Sequence, residues 1–588
     1  MSDEPSLSSA ISKFAAEATR KLSAISVSGE PEDQVRAPLE TLMGDLAEVC
    51  GIARASVVLV GESSLADLKT RPDYAVQRNG NLLGFVEVKA PGKGADPRRF
   101  KEKHDKEQWA KLKALPNLVY TDGNEFSLWR DGVLEGKVVK LDGDIAVDGA
   151  AVADAPGLIA LIEDFLSWQP IPPKTPKQLA DLTARVCRLL RDEVVEQLAI
   201  GNPALTDLAR DWRALLFPDA DDQTFADGYA QAVTFGLLVA RARGITVEGG
   251  IGNAAKSVGT THSLIGAALF VLTLNTEDHH TLKTSIGTLT RVLEVVDWPE
   301  ISKGNAEAWL YFYEEFLSVY DNTLRKKTGS YYTPPEVVTA MVGLVEEALQ
   351  SRYARSQGLA SSDVTLIDPA VGTGTFLLAA LRSIATTVEA DQGAGAVPGM
   401  IEAALQRLIG FEIQLGPFAV AQLRLLAELG DLQVTPGTDL HLHVTDTLGN
   451  PWVEEEMLGS VYEPIAESRR RANEIKRGQP VLVAIGNPPY KEKAKGRGGW
   501  IEEGNPAASI AAPLADWIPP ADWGVGAHAK HLRNLYVYFW RWATWKVFDH
   551  EPNNGSGIIC FITVAGFLNG PGFQRMRDYL RHKAALRI

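Results

Sequence analysis

The chain has 588 residues, 45% hydrophobic and 23% charged, with a formal net charge of -15 at pH 7, an ordinary globular balance whose length predicts about three or four domains. Cys50, Cys187 and Cys560 lie far apart with no CxxC pair, which excludes a disulfide framework and a structural zinc site. The longest apolar run, Leu264 to Leu272, is too short for the ~20 residues of a membrane span, and the opening Met-Ser-Asp-Glu-Pro has no signal-peptide pattern, so no membrane contact and a cytoplasmic location are expected.

The acid excess argues against unspecific coating of nucleic acid, because Lys and Arg supply most of the affinity for phosphates. Distribution matters more than the sum. Positive charge gathers in Lys89 to Lys106, Arg469 to Arg477 and Lys491 to Arg497. Each run taken singly reads equally as a solvated loop, but two of them adjoin the motifs below.

In chain order, residues 1 to about 145 hold an amphipathic helix, Val35 to Val49, strand-like alternation, and a hairpin-like stretch from Leu118 through Thr121-Asp-Gly-Asn to Trp129. The pattern is α+β. Within it, Pro72-Asp-Tyr-Ala-Val-Gln-Arg-Asn-Gly-Asn-Leu-Leu-Gly-Phe-Val-Glu-Val-Lys89 predicts a hairpin with Asn79-Gly80 as a type I′ turn. Alternation puts Glu87 and Lys89 on one strand face and Val86 and Val88 on the other, toward the core. Asp73, at the outer end of the partner strand, brings a second carboxylate to the same place. Two carboxylates and an ammonium suit Mg²⁺ and an attacking water beside a phosphate. A solvated face carrying an i, i+2 charge pair is the other reading. The pattern resembles the PD-(D/E)xK nucleases, over about residues 30 to 135. That resemblance implies Asp73 and Glu87 as metal ligands, Lys89 as the third catalytic residue, and Glu40 and Gln108 as candidates for the extra helix acid and glutamine that the family often adds.

Trp168-Gln-Pro-Ile-Pro-Pro-Lys-Thr-Pro marks a linker, and Gln178 to Arg325 reads as helical almost throughout, a spacer. No GxxxxGK[ST] phosphate loop occurs, so an ATP-driven motor is not expected, and Gly249-Gly-Ile-Gly reads as a loop. From about Lys326 onward, short apolar strands alternate with helices, the sign of a doubly wound parallel sheet.

Four motifs fall on this last stretch. Val364-Thr-Leu-Ile-Asp-Pro-Ala-Val-Gly-Thr-Gly-Thr-Phe reads as strand, Gly-rich turn and helix start, where backbone N–H groups can meet a ligand. The next strand ends in Glu412, placed to accept from ribose hydroxyls or to cap a helix, and a third ends in Asp446, placed for an adenine amino group. The fourth, Val481-Leu-Val-Ala-Ile-Gly, delivers Asn487-Pro-Pro-Tyr490. The amine of adenine is a poor nucleophile because its lone pair enters the ring. Acceptors on Asn487 and the Pro488 carbonyl can bind its two hydrogens and aim that lone pair, prolines 488 and 489 hold the acceptors rigid, and Tyr490 can stack on an extruded base.

Asp368 to Phe376 followed by Asn487, Pro488, Pro489 and Tyr490 resembles the gamma-class N6-adenine DNA methyltransferases of restriction-modification systems. Thr328-Gly-Ser-Tyr-Tyr-Thr-Pro-Pro, after the Phe312-Tyr-Glu-Glu-Phe helix, matches the family's further cofactor motif, and the motif order agrees. The resemblance implies S-adenosylmethionine as cofactor, held by Thr333, Pro334, Asp368, Gly372, Gly374, Glu412 and Asp446, and double-stranded DNA as partner. With the nuclease pattern, the domain order is similar to that of fused type IIG, IIL or ISP enzymes.

The expected fold is multidomain: an α+β nuclease-like domain over 1–150, a linker and α-helical spacer over 151–305, and an α/β Rossmann-like methyltransferase domain over 306–588. The family's sheet has seven strands and the sequence supplies five. The chain is therefore expected to lack a C-terminal part, with target recognition left to a missing domain or a second subunit. A methyltransferase with a non-cleaving DNA-binding module, or an inactive fragment, are the competing readings.

Overall fold

The computed structural model describes residues 6–24, 30–61, 72–78, 81–169, 172–215, 220–242, 244–245, 282–298, 301, 306–321, 333–434, 440–453, 463–506, 509–550 and 555–585. The Asn79-Gly80 turn, the Gly249 segment, the Leu264 to Leu272 run and residues 328–332 lie outside them. The chain divides into two compact units. One is Met1–Pro172 with Arg185–Asn202 and Glu277–Val296; the other is Pro173–Ala184 with Pro203–Thr276 and Asp297–Ile588. Residues of the expected spacer occur in both. No helix among the described residues is long and apolar enough to cross a membrane.

In the first unit, Ser6 caps the helix Leu7–Leu22 by accepting from the Ser9 N–H (3.2 Å), and Pro31 occupies the first turn of Pro31–Val49, where its missing N–H costs nothing. Six strands follow: β1 (Val57–Gly61), β2 (Tyr74–Arg78), β3 (Asn81–Val88), β4 (Leu118–Thr121), β5 (Glu125–Arg130) and β6 (Val133–Lys140), ordered as numbered in one sheet. Neighbours pair antiparallel except β3 and β4, which are parallel and are joined through the crossover helix Lys103–Leu112. Val86 and Val88 join the core with Leu39, Leu42 and Phe165 of the flanking helices, while Phe85 packs on the other face with Tyr120 and Trp129. Period-two alternation then sends Glu87 to that second face.

The second unit holds a five-stranded sheet: β7 (Leu366–Asp368), β8 (Leu408–Glu412), β9 (Leu442–Val444), β10 (Val483–Gly486) and β11 (Ile558–Phe561). The order is β11-β10-β7-β8-β9 and every pairing is parallel. These are the five strands expected. β7 through β10 are wholly buried and, apart from Asp368, Glu412 and His443, apolar, as suits strands covered on both faces. From β7 the chain winds outward to β8 and β9, then returns to the other side for β10 and β11. The space between β7 and β10, at their carboxyl ends, is therefore the switch point where ligands bind in such sheets. A tryptophan cluster, with Trp452–Trp500 ring centroids at 5.1 Å and Trp500–Trp545 at 4.7 Å in edge-to-face contact, packs the segment that follows β10.

Candidate active sites

Two groups of residues carry chemistry, one in each unit. In the second unit, Asp368 ends β7 and is 1% exposed; its Oδ1 accepts from the Ala370 N–H (3.0 Å), while Oδ2 is buried with no hydrogen-bond partner among the described residues. The turn beyond it needs left-handed backbone at Gly372 (φ 53°) and Gly374 (φ 84°). A Cβ on Gly374 would lie 3.2 Å from the Ala421 Cβ, whereas one on Gly372 would meet nothing nearer than a carbonyl at 3.9 Å. Space above Gly372 is open, and the helix Thr375–Gln392 starts just beyond it.

Glu412 ends β8. Its Oε1 accepts from the Ile413 and Gln414 N–H groups (2.9 and 2.8 Å) and its Oε2 from the Gly372 N–H (2.9 Å). The residue therefore caps the following helix start and ties the Gly-rich turn, and Oε2 keeps a second lone pair for a ribose hydroxyl. Asp446, just beyond β9, accepts from the Leu448 N–H at Oδ1 (2.9 Å). Burial is the largest cause that raises all three carboxyls; Asp368 is pushed up to about 8, with Glu412 adding to the rise and the Ala370 N–H opposing it.

Asn487 follows β10 at the switch point. Its Nδ2 donates to Thr333 Oγ1 (3.1 Å), and its Oδ1 accepts from the Tyr490 hydroxyl. A Cβ on Gly486 would stand 2.6 Å from Asp368 Oδ1, so only glycine lets the Asp368 carboxyl lie against the backbone beside Asn487. Pro488 is buried; Pro489 and Tyr490 are half-buried, Pro334 is exposed. The structure thus brings Thr333, Asp368, Gly372, Glu412, Asn487 and Tyr490 together at one sheet end, with Asp446 at the neighbouring strand end.

In the first unit, Lys89 Nζ lies 2.7 Å from Glu87 Oε1 and 2.7 Å from Gln108 Oε1, and all three are buried. Asp73 accepts from the Val88 N–H at Oδ2 (2.7 Å) and pairs through Oδ1 with Arg36. Asp73 is pushed up to about 7, first by burial and then by the Glu87 charge, against the pull of Arg36. Gln108 is where the resemblance put it. Glu40 is not: its Oε1 accepts from the Tyr74 hydroxyl (2.8 Å), so it leaves the cluster. The helix acid near the trio is Glu32, whose carboxyl is raised by burial and also feels Lys89 and Asp73. Asp105, 2% exposed, balances the lysines, at 3.7 Å from Lys89 and 2.7 Å from Lys93.

Among the described residues no group of three or more His, Cys, Asp and Glu is arranged to hold a metal. Mg²⁺ asks for less, since one or two carboxylates with phosphate and water usually suffice. Glu87 Oε2, buried without a hydrogen-bond partner, fits such a ligand.

With the geometry in place, comparison with known proteins adds one finding. Residues 310–502 match the family described as N-6 DNA Methylase. Over this stretch the chain is similar to N6 DNA methylases. No curated protein matches the chain. Among solved structures, a DrdV–DNA complex is similar at 20% identity and TM-score 0.42, covering 98% of this chain and 52% of that one. The ATP-dependent type ISP restriction-modification enzyme LlaBIII bound to DNA is similar at 18% identity and TM-score 0.49, over 74% of this chain and 27% of that one. The type IIL restriction-modification enzyme MmeI in complex with DNA is similar at 14% identity and TM-score 0.33, over 71% and 53%. The chain thus spans about half or less of the first two.

The second unit also uses residues that no motif reveals. Arg424, fully buried, donates from Nη1 to the Thr373 carbonyl (2.8 Å) and Thr375 Oγ1 (2.9 Å) and pairs through Nη2 with Glu307 (3.1 Å), clamping the Gly-rich turn. Lys476 Nζ donates to the Asp446 carbonyl (2.7 Å) and fixes the end of β9. Each is one cation within a helical run, and only the fold shows what it reaches.

Proposed function

We propose that the chain is an S-adenosylmethionine-dependent N6-adenine DNA methyltransferase of a restriction-modification system, fused to a Mg²⁺-dependent DNA endonuclease. The observation that carries the first half is the meeting of Asn487, Thr333 and the buried Asp368 carboxyl, whose Oδ2 has no hydrogen-bond partner among the described residues, at the switch point of the parallel sheet. S-adenosylmethionine supplies a methyl carbon made electrophilic by its sulfonium. The chain supplies position. Asn487 Oδ1 and the Pro488 carbonyl accept the two amine hydrogens of an extruded adenine, so the N6 lone pair points out of the ring toward that carbon. Bound there, the cofactor would give its methyl group to N6 and leave as the neutral thioether, and the surplus N6 proton would pass to water. In the unliganded chain the Tyr490 hydroxyl occupies Asn487 Oδ1. Base entry displaces it and frees the ring to stack. Transfer of labelled methyl groups from S-adenosylmethionine to unmodified duplex DNA tests this: N6-methyladenine must be the product, and 5-methylcytosine or no product overturns the reading.

Cofactor affinity carries a further expectation. With a value near 8, the Asp368 carboxyl is mostly neutral at pH 6 and ionised above pH 8.5, and its ionised form attracts the cationic cofactor. Affinity for S-adenosylmethionine should therefore rise with pH across 6.5 to 8.5, by at most about tenfold per unit for one released proton. Asp368→Asn should bind more weakly and lose that slope. The cofactor's amino group titrates in both proteins alike, so calorimetry that gave equal slopes would remove Asp368 from the site.

For the endonuclease, Asp73 and Glu87 would hold Mg²⁺, which supplies a Lewis acid at the scissile phosphate, and Lys89 would orient the attacking water or stabilise developing charge. Glu32 is the further candidate ligand. A non-cleaving DNA-binding module is the second reading, favoured by the pairing of Asp73 with Arg36. Double-stranded DNA completes the proposed assembly, and the cytoplasm is its proposed location.

A further inference from the structure

Beyond Tyr490 the chain runs into Lys491, Lys493, Lys495 and Arg497, and in sequence this is only a basic loop. Tertiary structure gives it a fixed shape and a second wall. The Ala494 N–H donates to the Arg533 carbonyl (2.7 Å), the Leu535 N–H to the Lys491 carbonyl (2.8 Å), and the Lys493 N–H to Asn534 Oδ1 (3.1 Å). From the far side, Glu502 Oε2 accepts from the Gly496 and Gly498 N–H groups (2.8 and 3.3 Å). The backbone is thus held at five points while Lys491, Lys493, Lys495 and Arg497 stay exposed.

The wall is the 3₁₀ segment Gly526–Arg533, which adds Lys530 and Arg533, both exposed. Within the two segments the only carboxylate is Glu492. Arg533 faces Glu502 at 3.8 Å; for the other five cations no carboxylate partner occurs among the described residues. In a chain of net charge -15, such a concentration repels itself unless an anion covers it.

We propose that the surface formed by the Lys491 to Arg497 loop and the Gly526–Arg533 segment grips the DNA backbone phosphates flanking the extruded adenine. The proposal rests on the methyltransferase reading for its place beside the base, since the loop begins one residue after Tyr490. Fixed backbone with outward cations suits phosphates, which position a duplex without reading its sequence. Holding both sides of the loop also keeps the strand in place while one nucleotide leaves the stack.

The test uses the full chain and a fluorescein-labelled duplex of 30 base pairs, with binding followed by anisotropy across a NaCl series. In the double variant Lys493→Gln, Lys495→Gln, log K against log[salt] should become shallower by about 1.8, at ~0.9 for each phosphate that is no longer neutralised. The exposed pair Lys137→Gln, Lys140→Gln on β6 should leave the slope unchanged. S-adenosylmethionine affinity of the first double variant, by calorimetry, should equal that of the parent, which reports an intact methylase domain. An unchanged slope with intact cofactor binding overturns the grip. Failure of the methyltransferase reading looks different: the parent chain would yield no N6-methyladenine while the slope still fell, leaving a backbone-binding surface without that chemistry.

Discussion

Asn487→Ala is expected to slow methyl transfer by on the order of 10²–10³-fold, with the affinity for S-adenosylmethionine nearly unchanged. Removing one preorganised hydrogen-bonding group at a reacting centre typically costs that much. Here the Asn487 carbonyl is asked to hold an amine hydrogen and turn the lone pair toward the methyl carbon, and alanine offers no acceptor. The local structure should survive. Asn487 gives one side-chain bond to Thr333 and receives one from Tyr490, each worth about 1 kcal/mol, whereas β10 itself is wedged between β7 and β11. Single-turnover methylation and calorimetry separate the effects. Undiminished transfer would remove Asn487 from the chemistry, and a parallel collapse of cofactor binding would make its role structural.

The second large effect concerns the first unit. Glu87→Gln is expected to abolish Mg²⁺-dependent nicking of supercoiled plasmid while methylation continues, because the two residue groups belong to different compact units. The change keeps the shape of the side chain and its contact with Lys89 but removes a charged metal ligand, a loss worth several kcal/mol of barrier. Asp73→Ala and Lys89→Ala should do the same. Lys89→Ala is the less clean variant, since it strands the buried carboxyl of Glu87 without its cation, which typically costs about 3–5 kcal/mol of stability, while Asp105 keeps Lys93. A Glu87→Gln chain that cut at the parental rate would make the Glu87-Val-Lys89 strand an ordinary polar face. A parent that methylated but never cut would establish the second reading, a module that binds DNA and leaves it whole.

Metal binding at this site would carry its own pH signature. Asp73 sits near 7 when unliganded, far above an ordinary aspartate, so the folded chain holds its proton where the unfolded chain has lost it, and stability falls as pH rises from about 4 to about 7. A divalent cation favours the ionised form and should offset that loss. Melting temperature measured at pH 8 should rise on adding Mg²⁺ by more than it does at pH 5.5, and equal shifts at both pH values would remove Asp73 from the metal site.

What the sequence determined by itself was local. Apolar runs ending in Asp368, Glu412, Asp446 and Gly486 specify four of the five parallel strands and the residues at their carboxyl ends, because a strand buried on both faces is mostly apolar and a left-handed turn favours glycine. Period-two alternation likewise fixed Glu87 and Lys89 on the face opposite Val86 and Val88. Partnership between distant segments belonged to the tertiary structure. Glu40 and Glu32 occupy one helix, eight residues apart, which separates them by ~12 Å along the axis and ~80° in direction, so the helix's placement on the sheet sends one to Tyr74 and the other to the carboxylate cluster. Arg424 on Thr373, Lys476 on the end of β9, and Gly526–Arg533 beside the Lys491 loop are of the same kind. A side chain's reach is written in the sequence, but the path of the loops and the phase of the helices decide what it meets.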